Sequence, residues 1–123
     1  MGTKTSMDQS ILDSVRKIIG NGELDDFFNS DLCMAINTVL MQAHDMGLVC
    51  DDFSIVDNTK TWRDILLKKE DQINLHALIS WTALRTRLLF DPPTSSTLLN
   101  SIKEEAQRLE WYIYITENYV GEI

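Results

Sequence analysis

His44 and His76 are the side chains of this sequence best suited to moving a proton near neutral pH, because imidazole titrates there without help from its surroundings. Each stands alone on a stretch of helical spacing, and neither neighbours a second ligand at metal spacing. Surface or core histidines are therefore expected. Cys33 and Cys50 lack the CxxC spacing of a zinc or redox site, so they are expected as buried free thiols. Asp51, Asp52 and Asp57 invite comparison with a calcium loop, yet LVCDDFSIVDNTK has neither the glycine nor the terminal glutamate of an EF-hand. The hydroxyls of TSST at 94–97 have no base beside them, and helix capping accounts for them. No GxxxxGK[ST] or GxGxxG is present to cradle a phosphate. A nucleophile needs a base and a metal needs several ligands. The sequence sets out neither, and it predicts no catalytic residue, no metal site and no cofactor.

Charge is more informative than any motif. Nineteen acidic residues against eleven basic ones give a net of −8. Residues 1–59 hold ten Asp/Glu and three Lys/Arg, whereas residues 60–123 hold nine and eight. Such a surface repels phosphate and excludes a protein that grips nucleic acid, but it suits a wall past which DNA slides without sticking. Solubility alone is the simpler account of the same acidity. Arg85, Arg87, Lys103 and Arg108 are too few and too interspersed with acids to form a nucleic-acid stripe; salt bridges to a partner are the alternative use for them. No apolar run reaches the roughly 20 residues that span a bilayer, and the N-terminus has no apolar segment like a signal peptide, so no membrane contact is expected.

The elements that would position these residues are helices. Ile11, Leu12, Val15, Ile18 and Ile19 make one stripe between Met7 and Ile19, stopped by Gly20-Asn21-Gly22. The acidic connection that follows carries Phe27 and Phe28, expected as a core plug. Ser30-Asp31 reads as the cap and first turn of a helix that repeats through Leu32, Ile36, Val39 and Leu40 to Met46, with Gly47 closing it. Residues 48–60 break the helical period, with Phe53 and Ile55 able to alternate inward, and Thr61 caps a brief turn. A third helix from Gln72 to Phe90 is apolar over more than half its circumference, which marks it as central or as facing a neighbouring subunit. Pro92 and Pro93 end it. Thr94, Ser95 and Ser96 are candidate caps for a fourth helix with a core face of Leu98, Ile102, Ala106, Leu109 and Ile113, running to about Thr116. The expected fold is all-α: a small bundle of about four main helices, with a C-terminal helical hairpin and an extended tail. Its expected divisions are a flexible N-terminal extension at 1–6, one domain at 7–116 and a tail at 117–123, with Trp81 near Trp111 across the hairpin and Trp62 covering one end.

The segment LRTRLLFDPPTSSTLLNSIKEEAQRLEW, together with SILDSVRKIIG, DLCMAINTVLMQAHDMGL and FSIVDNTKTWRDIL in the same order, resembles the small head–tail connector, or adaptor, proteins of long-tailed bacteriophages of Gram-positive bacteria. The resemblance covers most of residues 7–111. After Trp111 the sequence departs, because YIYITENYVGEI is more aromatic than the short polar tails of relatives. The resemblance implies a non-enzymatic subunit that forms a ring, commonly of twelve copies, below the portal protein. There it would extend the DNA channel and offer a platform to a stopper or head-completion protein. Its place would be the virion neck, and before assembly the host cytoplasm.

On this reading the candidate portal-binding residues are Tyr112, Tyr114, Tyr119 and Val120, in a β-prone tail able to add a strand to a portal edge. Asp51, Asp52 and Asp57 are the candidate surface toward the DNA channel, through which packaged DNA passes without specific binding. The alternative is a small acidic phage-encoded binding module that regulates a host protein.

Overall fold

The computed structural model describes the backbone of residues 6–20, 26–68 and 72–119, with side chains from Met7 as far as Ile115. Among these residues the fold is all-α. Its helices are α1 (Ile11–Gly20), α2 (Asn29–Asp45), the short α3 (Trp62–Ile65), α4 (Leu75–Phe90) and α5 (Ser96–Tyr119), with single 3-10 turns at Ser6–Asp8 and Asp26–Phe28. Helix α4 packs against α1, α2 and α5. Being apolar nearly all round, it buries Leu75, Leu78, Ile79, Trp81 and Ala83 in different directions, so it is the axis of the bundle.

Helix ends follow local chemistry more closely than the apolar pattern does. The first helix starts at Ile11, four residues later than Met7, because Ser10 caps it: the Asp13 amide donates to Ser10 Oγ at 3.2 Å. Helix α4 begins at Leu75 instead of Gln72 because the Asn74 side chain accepts the Ala77 amide at 3.1 Å. Helix α2 starts at Asn29, ahead of the expected Ser30 cap, and no side chain caps it. Of the three candidates before α5, Ser95 takes the role, accepting from the Leu98 amide at 3.3 Å. Gly47, at φ +80°, closes α2 in the left-handed region that favours glycine.

The segment between α2 and α4 is held by an improvised strand partner. Asn37, on α2, donates its amide N–H to the Ile55 carbonyl at 2.9 Å and accepts the Ile55 N–H at 2.8 Å. That pair seats Ile55 in the core, while Phe53 is half-buried against it. Isolated antiparallel bridges join Ser10 to Thr61 and Val49 to Leu66. Asp64 accepts both the backbone N–H and the hydroxyl of Thr61, fixing the start of α3. Arg63 reaches back to Asp8 at 2.8 Å.

Several expectations need correction. Phe27 and Phe28 do not plug the core: Phe27 is 81% exposed and Phe28 is partly so, the two rings meeting edge-on. Ile18 and Leu98 are exposed as well. The seam of α5 runs through Ile102, Ala106, Leu109 and Ile113 with Leu99, not Leu98, in front, a spacing of alternating three- and four-residue steps that stays on one face. Trp62 does more than cover an end; it is fully enclosed, and its indole N–H donates to Ser14 Oγ at 3.2 Å. Trp81 does lie across the hairpin beside the residue that precedes Trp111. It donates to the adjacent Glu110, while Trp111 is 58% exposed and stacks on Tyr114. Cys33 is buried, but Cys50 is only half-buried. The backbone stays helical through Tyr119, so residues 117–119 continue α5 instead of forming an extended tail. The proposed extension at 1–6 lies almost entirely outside the described residues.

Candidate functional site

The acidic loop is braced at each carboxylate by its own neighbours. Asp51 Oδ1 lies 2.6 Å from Nε2 of His44, whose other nitrogen is 3.8 Å from Asp45 and whose ring rests against Phe53. Lys60 donates to the carbonyls of Asp52 and Ser54 at 2.8 and 2.9 Å, and its ammonium is 3.5 Å from the Asp52 carboxylate. Asp57 accepts the hydroxyl and the amide of Thr59, and these two bonds hold its carboxyl below the usual carboxylate range. The side chains of Asp51 and Asp52 nevertheless stand almost wholly in solvent, at 99% and 94% exposure. The loop is thus a fixed display of negative charge. Among the described residues no three His, Cys, Asp or Glu side chains converge as metal ligands. His76 is exposed on α4.

A second surface is aromatic. Tyr112 and Tyr114 are exposed on the last turns of α5, Trp111 stacks on Tyr114 with ring centres 5.7 Å apart, and the Arg108 guanidinium lies 5.4 Å from the Tyr112 ring centre. Arg108 is also paired with Glu105, which holds the Glu105 carboxyl below and the guanidinium above their ordinary values. These aromatics sit on a helix, not on a strand. The Tyr119 side chain and Val120 lie outside the described residues.

A third surface went unread in the sequence. Three open depressions run in series along α2. The first, of about 650 Å³, lies between Phe28, Met34, Leu89 and Phe90. The second, about 170 Å³, shares Leu89 with it, and the third, about 620 Å³, shares Gln42 and Arg85 with the second and ends at Trp111 and Tyr114. The start of α2 thereby faces the end of α4, so these helices run antiparallel with a furrow between them. Two hints of it stand in the sequence: Met34, which falls off the apolar stripe of α2, and the breadth of the apolar face of α4, to which Leu89 belongs.

The profile of the phage connector protein family matches residues 11–120. The chain belongs to that family. The match opens on the first residue of α1 and takes in every helix, so the resemblance carried by the DPPTSS corner extends to the whole bundle and past Trp111. No curated protein and no solved structure matches the chain significantly. Membership assigns the connector a structural role in the phage particle, at the junction of head and tail. No helix among the described residues is long and apolar enough to cross a membrane.

Proposed function

We propose that the connector is an adaptor subunit that assembles into a ring of twelve copies below the portal protein of a long-tailed phage of Gram-positive bacteria. The ring extends the DNA channel and receives a stopper or head-completion protein. The observation that carries this reading is the family match across the whole bundle. Two structural features support it. Tyr114 stacks on Trp111 and Tyr112 lies beside Arg108, so exposed aromatics flank the buried Ile113 toward the end of the longest helix, suited to docking on the portal, with Tyr119 and Val120 following in sequence. Asp51, Asp52 and Asp57 present fixed negative charge that keeps packaged DNA mobile when turned toward the channel.

Before assembly the subunit resides in the host cytoplasm. Labelling virions with an antibody against the connector and viewing them by electron microscopy tests the reading: label at the neck is expected. Label absent from finished particles, with the connector recovered on a host protein instead, supports the regulator alternative.

A further inference from the structure

We propose that the furrow between α2 and α4 receives an amphipathic helix with basic flanks, contributed by another protein of the neck. The proposal rests on the adaptor reading and names the chemistry of one of its partners. Its first support is shape. From Asp31 to Met46 the furrow follows α2 for about 22 Å at 1.5 Å per residue, the length of a four-turn helix, with α4 as its opposite wall at one end and mainly α5 at the other, and packed helices of this kind make a natural seat for one more.

Apolar exposure comes next. Met34 is 68% exposed and Leu89 57%, on facing helices at one end, and Trp111 is exposed at the other. Large side chains on three separate elements, α2, α4 and α5, remain in solvent along the furrow, which is the anchor pattern of a helix-in-groove site.

Charge decides the occupant. The furrow is lined by the carboxylates of Asp31, Asp45, Asp91 and Glu110 against one guanidinium, that of Arg85. The Arg85 charge is directed at Glu110, 3.4 Å away. A second copy of a chain with net charge −8 is a poor match for that rim, whereas lysines or arginines flanking an apolar seam complement it.

The test uses the full-length protein and two synthetic helical peptides of about four turns that share a leucine seam and differ only in lysine or glutamate flanks. Binding is followed by peptide anisotropy and by the emission of Trp111, which is exposed while Trp62 and Trp81 are buried. The lysine peptide is expected to bind at least about tenfold tighter than the glutamate peptide. Leu89→Ser should weaken the lysine peptide about tenfold, and Val56→Ser, at a highly exposed site outside the furrow lining, should leave it unchanged. The double variant Asp31→Asn, Asp91→Asn should lose part of the preference for lysine flanks. Equal binding of both peptides, or indifference to Leu89→Ser, overturns the proposal. So does self-association of the connector that Leu89→Ser abolishes, which would make a second copy the occupant. Portal binding by a connector that fails the peptide test would leave the adaptor reading standing and remove only the furrow assignment.

Discussion

The indole N–H of Trp81 on α4 donates to Glu110 Oε1 on α5 at 3.0 Å, and Arg85, one turn along α4, meets the same oxygen at 3.4 Å. One carboxylate therefore ties the hairpin at the point where its most enclosed aromatic would otherwise leave a polar hydrogen without an acceptor. Trp81 is fully buried, so Glu110→Ala should cost about 1–3 kcal/mol, the penalty of an unpaired buried donor. Glu110→Gln keeps an acceptor for the indole and should cost less. Urea unfolding of the two variants separates the hydrogen bond from the charge.

Asn37 replaces a missing strand for Ile55. Removing its amide in Asn37→Ala leaves the Ile55 N–H and carbonyl without those partners and should lower stability by about 1–3 kcal/mol. Hydrogen exchange at the Ile55 amide should accelerate more than at amides in α4. Uniform acceleration across the bundle would show that the clamp is not local.

The hairpin's legibility in the sequence, and that of its partner surfaces, came from different physics. Pro92 and Pro93 forbid a continuing helix, so the corner between α4 and α5 was readable from covalent geometry alone, and the central place of α4 followed from its breadth of apolar residues. Cap choice was readable only as a set of candidates, because Thr94, Ser95 and Ser96 share one chemistry and the backbone selects among them. Phe27, Phe28 and Met34 depart from the apolar pattern for the opposite reason. Hydrophobicity predicts burial, but it does not say whether the burying surface belongs to the same chain. The β-branched and aromatic run after Trp111 has strand propensity, yet its backbone is helical through Tyr119 because Ile113 continues the core seam of α5.

Ile113 also changes what a truncation would report. It is 1% exposed and packs in the core, so deleting residues 112–123 should lower the melting temperature as well as remove the exposed Tyr112 and Tyr114. Tyr112→Ala and Tyr114→Ala, both at exposed positions, should leave the melting temperature nearly unchanged. Calorimetry of the three proteins distinguishes the cases.

Burial, followed by the negative charge of Asp57, pushes the Cys33 thiol above its ordinary value of 9.0. The native thiol then keeps its proton in a range where the unfolded chain's has left. Unfolding releases a proton there, and stability falls as pH rises through and above the ordinary thiol value. Cys33→Ala should flatten that alkaline decline, visible in melting temperatures measured across the alkaline range. At pH 8 a thiol reagent should modify the half-buried Cys50 first and Cys33 only at the rate of opening.

Mass photometry of the purified connector, alone and mixed with the portal of its phage, asks whether this molecule joins to a portal and to copies of itself. A discrete portal complex enlarged by a ring of connector subunits is expected, lost in the Tyr112→Ala, Tyr114→Ala double variant. A portal whose mass is unchanged by saturating connector would contradict the adaptor reading.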